Sequence, residues 1–223
     1  MDAVLGGGLR RAAITEICGN AGAGKTQLAM QCCVEAVASD RAATALYIHT
    51  EGPFPSKRLL ELAKTRFGEE GAQALCGRVL LAPADTPGQL ELAIAKAEQV
   101  ASTRSVAVIV VDSITAPFRG DELLSRDPIA RAEVLLRVAS NLKRISHASN
   151  AAVLVLNQVM SSMGSAGAPP GPALGLVWSQ CVNVRLLLSR SAPEALERQA
   201  VLVFSPTMPA AQCAFTVTAR GVV

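Results

Sequence analysis

Apolar residues in this chain fall into short unbroken runs separated by stretches in which they recur at helical spacing. Ala12 to Cys18 alternates apolar residues with Thr15 and Glu16, then gives way to a glycine-rich turn and a helical stretch beginning near Lys25. That order reads as strand, loop, helix. A second apolar run, Thr44 to Thr50, is followed by Pro53 and Pro55, and then by a predicted helix carrying Leu59, Leu60, Leu62, Ala63 and Phe67 on one side. Val79 to Leu81 predicts a short third strand. Thr86-Pro87-Gly88-Gln89 has the form of a capping box with proline at the first helical position, and Leu90, Ala93, Ile94, Ala97 and Val100 continue the helix. Val106 to Val111 is the pattern of a strand buried on both faces, and it ends in Asp112. A long helix is expected from about Pro128 to His147, with Leu135, Val138, Leu142 and Ile145 on one face, and then a strand from Ala152 to Leu156.

After that strand the alternation with helices stops. Cys181 to Leu188, Ala200 to Phe204 and Cys213 to Val217 read as consecutive strands. The expected class is α/β: a mostly parallel central sheet flanked by helices, with antiparallel C-terminal strands, in one domain over residues 1–223. Met160 to Pro172 is built from Ser, Gly, Ala, Met and Pro, with no charge and no aromatic ring. A loop of that length in a compact domain is either functional or a bland connector.

Composition narrows the function classes. Half of the 223 residues are apolar, 3% are aromatic and 17% charged, which excludes a chain that is disordered over most of its length. The six cysteines show no C-x-x-C spacing and there are only two histidines, so a structural zinc site is not expected and reduced thiols in a cytosolic or nuclear protein fit best. The net charge of +3 is too mild to announce nucleic acid by bulk field, so any DNA contact has to be local. No apolar run reaches the ~18 residues that span a bilayer, and Met1 to Leu5 lacks the form of a signal peptide, so no membrane partner is expected.

Chemistry concentrates in four places. Gly19-Asn20-Ala21-Gly22-Ala23-Gly24-Lys25-Thr26 satisfies G-x-x-x-x-G-K-[ST] between a strand and a helix. Such a loop turns backbone N–H groups and a helix N-terminus towards phosphate oxygens. Lys25 would meet the β- and γ-phosphates of ATP, and the Thr26 hydroxyl would bind Mg2+. The ion needs a carboxylate behind its waters, and Asp112 closes a buried strand, although a strand-end Asp is also an ordinary cap. Ser113 stands where many ATPases carry a general base, so Glu51 becomes the candidate for positioning a hydrolytic water; its other reading is a solvated loop glutamate. Gln158 would sense the γ-phosphate or attacking water and pass its presence into the adjacent loop, or else serve plain turn chemistry. Gln27 and Arg58 either approach the nucleotide or sit at the core edge. Cys18, Cys32 and Cys33 are expected to line the core, and Trp178 to anchor packing rather than stack on DNA.

Taken together, Gly19 to Thr26, Tyr47-Ile48-His49-Thr50-Glu51-Gly52, Val111-Asp112-Ser113 and Leu156-Asn157-Gln158-Val159 resemble the ATPase core of the RecA-type recombinases. Gly24-Lys25-Thr26-Gln27-Leu28-Ala29, Asp112 to Arg119, Ala173 to Trp178 and Ser205 to Pro209 resemble the eukaryotic recombinase paralogues within that family. The resemblance implies a RecA-like P-loop domain without the family's N-terminal helical domain and its aromatic linker motif. It implies ATP bound with Mg2+ at a subunit interface by residues Gly19 to Gln27, and DNA-dependent hydrolysis using Lys25, Glu51 and Gln158. It also implies work in homologous recombination and double-strand break repair, partnership with a sister paralogue and the main recombinase, and a nuclear location with the cytoplasm also open. Phe118 to Asp127 and Met160 to Pro172 would stand at the first and second DNA-binding loops. Arg119 and Arg126 would then meet DNA phosphates or remain on a solvated face. The second loop offers no ring or cation for single-stranded DNA. Ser205-Pro206 stands where active recombinases carry an acidic residue before proline. The same core also carries phosphotransferases and hexameric helicases, but the arginine lid or basic central loop that those require is not evident.

Overall fold

The computed structural model describes residues 4–160, 171–172, 174–190, 192 and 194–223. In chain order the elements are β1 (Ile14–Gly19), α1 (Lys25–Ser39), β2 (Thr44–His49), α2 (Ser56–Phe67), α3 (Glu69–Cys76), β3 (Val79–Pro83), α4 (Pro87–Thr103), β4 (Val106–Asp112) and α5 (Ala116–Arg119). There follow α6 (Glu122–Arg126), α7 (Pro128–Ser149), β5 (Ala152–Asn157), β6 (Val159–Met160), β7 (Gly171–Pro172), α8 (Gly175–Ser179), β8 (Val184–Arg190), β9 (Glu197–Phe204), β10 (Gln212–Thr218) and β11 (Gly221–Val222).

The main sheet runs β3-β2-β4-β5-β1-β8-β9-β10-β11. Its first six strands are parallel. The last three join antiparallel. The C-terminal extension expected from sequence is therefore present, but β8 belongs to the parallel part, paired with β1.

Unbroken apolar runs form these strands because both faces are covered. In β4, Val108 and Val110 face the cluster that includes α1, α2 and α3, whereas Ile109 and Val111 face the cluster of α4 and α7. The alternation repeats in β5, where Leu154 and Leu156 lie on the first side and Val153 and Val155 on the second. Register then sets the functional edge: Cys18 pairs with Asn157, His49 with Asp112, and Asp112 with Leu156. The carboxyl ends of β1, β2, β4 and β5 thus finish level, where ligands collect in open parallel sheets.

Local signals explain most boundaries. The Thr86 hydroxyl accepts from Gln89 N at the start of α4, but the Gln89 side chain accepts from Asp85 N, one residue upstream of a reciprocal capping box. Asp127 caps α7 by accepting from Ile129 N and Ala130 N. Phe67 departs from the predicted face of α2: it is 40% exposed, while Leu59, Leu62 and Ala63 are buried. The end of that face is taken by Arg66, which pairs with Glu35 on α1 and donates to Arg220 O. Helix α3 was not foreseen, since Gly71 and its two-turn length obscure the periodicity. The segment predicted as a first DNA-binding loop holds α5 and α6. Of the second, residues 161–170 lie outside the described residues, and its ends pair as β6 and β7.

Candidate functional site

The glycine-rich loop leaves β1 under two backbone constraints. A Cβ at Gly19 would lie 2.3 Å from Leu188 O of β8, so no larger residue fits there. Gly24, the last residue before α1, has φ +102°, a conformation that strains any L side chain. No side chain caps α1, so its first-turn N–H groups are left to face a ligand. Lys25 folds over this bend, Nζ donating to Gly19 O at 2.7 Å and Asn20 O at 2.9 Å. Burial lowers the Lys25 pKa from its ordinary value, while Asp112, Glu51 and Cys18 oppose that shift. An anion placed here would favour the charged ammonium still more.

These groups line a cavity of about 310 Å3 shared with Thr26, Glu51, Asp112, Gln158 and Arg198. A larger recess, about 610 Å3, opens near the amino ends of β4 and β5 beside Ala107 and Ala152, away from every residue of the motif. The glycine-loop residues and the strand-end carboxylates converge in the smaller one.

Asp112 Oδ2 accepts from Thr26 Oγ1 at 2.8 Å and from the Tyr47 hydroxyl at 2.6 Å. The Thr26 and Asp112 pairing is the one expected of a magnesium site. Tyr47 was not foreseen as part of it. Its signal was a hydroxyl in an otherwise apolar buried strand, which must find a partner. Its ring packs edge-on to Phe54, and burial followed by the Asp112 charge raises its pKa, so it is a neutral donor at working pH. Among the described residues no group of three or more His, Cys, Asp or Glu could hold a metal ion. Two hard oxygen donors without such a cage suit Mg2+, which keeps waters and takes other ligands from phosphate.

Glu51 follows β2 and is half-exposed. Its Oε1 accepts from Gln158 Nε2 at 3.4 Å, so the two candidates for handling water do come together. The same carboxylate forms an ion pair with Arg119, which turns to this site from the segment expected to reach DNA. Arg126 lies 3.8 Å from Glu122 on an open surface. Gln27 and Arg58 engage each other: Arg58 Nε donates to Gln27 Oε1 at 2.8 Å and Nη2 to Thr218 O at 2.5 Å, fastening α2 to the C-terminal turn, while Gln27 also lines the cavity. Asn20, Ala21 and Gly22 form the exposed outer bend, and Ala23 is buried beneath it. None of the six cysteines is joined in a disulfide; burial, then the Glu16 charge, pushes Cys18 up to about 12, and burial raises Cys33 as well.

Sequence reasoning also missed a buried cluster under the site. Glu16, fully buried in β1, accepts from Asn157 Nδ2 at 2.6 Å and Trp178 Nε1 at 2.8 Å, and pairs with Arg185 across the β1–β8 register. Trp178 is the packing anchor expected, with a polar handle as well. Asn157 precedes Gln158, so this cluster fixes the backbone on which Gln158 stands.

The Rad51 family model matches residues 1–223 of the chain. DNA repair protein XRCC3 of Bos taurus is 34% identical, the alignment covering 100% of this chain and 72% of that protein. DNA repair protein RAD51 homolog 1 of Arabidopsis thaliana is 31% identical over 100% of this chain and 66% of its own length. The crystal structure of the RadB recombinase superposes with a TM-score of 0.81 at 28% identity, covering 99% of this chain and 94% of that one. With its glycine-rich loop between β1 and α1 and Asp112 closing β4 of a mostly parallel sheet, the chain is a member of the Rad51 family, similar to its XRCC3 branch.

Proposed function

We propose that this chain is an ATP- and Mg2+-binding recombinase paralogue acting in homologous recombination and DNA double-strand break repair. It would work in the nucleus as a DNA-dependent ATPase, in complex with a sister paralogue and the main recombinase. One observation carries the reading: at the carboxyl edge of the parallel strands, Lys25 on its glycine bend, the Thr26–Asp112 pair at 2.8 Å and the Glu51–Gln158 pair at 3.4 Å open into one cavity. The XRCC3 and RAD51 relatives are named as DNA repair proteins, which supports the biological setting.

The amides of Gly19 to Gln27 and the Lys25 ammonium would bind and orient the phosphate chain. Thr26 directly, and Asp112 through water, would hold Mg2+. When bound, a magnesium ion would neutralise negative charge on the phosphate chain. Glu51 would orient the attacking water and accept its proton, with Gln158 as second hydrogen-bond partner.

The Arg119–Glu51 ion pair favours a second reading, because a carboxylate engaged by a guanidinium is not free to take and orient a water. In it the chain is a non-hydrolysing interaction module whose bound ATP stabilises a recombinase-mediator complex. Single-turnover ATP hydrolysis, with and without single-stranded DNA, on the chain alone and with a sister paralogue, separates the two. DNA-stimulated turnover supports the ATPase, and nucleotide-dependent partner binding without turnover supports the module. Lys25→Ala should abolish nucleotide binding or turnover; normal behaviour of that variant refutes the site itself.

A further inference from the structure

The β8–β9 ladder ends on two arginines in direct register, Arg190 opposite Arg198. Like charges facing each other across a strand pair destabilise it, and among the described residues neither guanidinium has a carboxylate at ion-pair distance. Among the described residues, backbone carbonyls accept their hydrogen bonds. Arg190 Nε donates to Ala195 O at 2.6 Å, and Arg198 donates through Nη1 to Leu196 O at 2.7 Å and through Nε to Gly22 O at 3.4 Å. Partial burial, then the charge of Arg190, lowers the Arg198 pKa, yet a guanidinium stays cationic at any working pH.

This uncompensated pair overhangs the glycine bend. Arg198 lines the same cavity as Lys25 and Thr26, and its Cδ would lie 3.6 Å from a Cβ at Gly24. Arg190 Nη1 would lie 3.8 Å from a Cβ at Gly22. The bend therefore has cations on two sides: Lys25 from α1 and the arginine pair from the antiparallel extension. Phe215 and Val217 of β10 pack beside Gly24, which fixes that extension against the loop.

We propose that Arg198, backed by Arg190, binds the phosphate chain of the nucleotide held by the glycine-rich loop, making the β8–β9 hairpin a second, cationic wall of that site. The inference rests on the P-loop reading above. Guanidinium suits the task because its planar fork meets phosphate oxygens bidentately. A phosphate bound there also relieves the Arg190–Arg198 repulsion, so nucleotide should tighten the hairpin onto the loop. A DNA phosphate would satisfy the same chemistry, and the test separates the two sources.

Calorimetric titration of the chain with Mg·ATP, with inorganic tripolyphosphate and with single-stranded DNA provides that test, run on wild type, Arg198→Ala, Arg198→Lys, Arg190→Ala and Lys25→Ala, with thermal melts to establish folding. Arg198→Ala should weaken both probes by a similar factor, about tenfold or more for a lost charge-assisted contact. Arg198→Lys should recover part of it, and Arg190→Ala should give a smaller loss. Equal affinities in wild type and folded Arg198→Ala, with Lys25→Ala inactive, overturn the arginine wall and leave the P-loop reading standing. Full binding by Lys25→Ala, or none by wild type, overturns both. Loss confined to single-stranded DNA affinity, with both phosphate probes unchanged, also overturns the proposal.

Discussion

Replacing Glu16 should damage stability far more than its position outside the cavity suggests. Its carboxylate is fully buried and is held by the Arg185 guanidinium, the Trp178 indole and the Asn157 amide. Removing one partner of a buried ion pair costs about 3–5 kcal/mol, because the other charge is left without compensation. Two further donors stranded in Glu16→Ala, at about 1 kcal/mol each, bring the expected loss to roughly 5–7 kcal/mol. For a domain of this size each kcal/mol lowers Tm by about 2–4 °C, so Glu16→Ala should melt on the order of 10–30 °C early. Glu16→Gln separates the contributions. Asn157 and Trp178 both donate to Oε1, which a glutamine oxygen can replace, whereas its amide would face Arg185. The single variant should lose about 3 kcal/mol, and adding Arg185→Leu should restore a large part of it by removing the stranded cation. Calorimetric melts of wild type, Glu16→Gln, Arg185→Leu and the double variant complete the cycle. If Glu16→Gln melts within about 2 °C of wild type, or the double variant is no more stable than the single, the buried pair is not what holds β1 to β8.

Three smaller outcomes follow from the same geometry. Arg119→Ala releases Glu51 from its ion pair, so DNA-independent ATP turnover should rise; unchanged or lower turnover argues against that pair as a restraint. Stability should fall as pH rises: Cys18 has its folded pKa raised from 9.0 to about 12, so the unfolded chain loses the proton first and the penalty grows between those values, with an upper bound on the order of 4 kcal/mol. Urea titrations at pH 8 and pH 10.5 on wild type and Cys18→Ala measure it, and an identical pH slope in the two would remove Cys18 as the cause. Tyr47→Phe leaves Asp112 with Thr26 as its side-chain donor and should cost about 1 kcal/mol, read by melting, with weakened magnesium dependence of nucleotide binding.

What could be read before folding was whatever chemistry is local. Val106 to Val111 announced a strand because both faces of the sheet are covered, and the glycine bend carries its geometry in eight adjacent residues. Glu51 and Gln158 were legible as strand-end residues, since parallel strands in one sheet deliver such ends to a common edge. The Glu16 cluster, the Tyr47 hydroxyl and the Arg190–Arg198 pair depend instead on register between distant strands. A lone acid in a buried strand does demand a partner, but Arg185 is 169 residues away and only the β1–β8 pairing brings it opposite. Arg119 depends on long-range placement too: its position in the chain suggests a loop contact, and the fold brings it from α5 to Glu51.

The two bonds from the Lys25 ammonium to Gly19 O and Asn20 O give the glycine bend a brace made from its own chain. Admitting a phosphate would then ask a single side chain to swing, not a whole segment to refold.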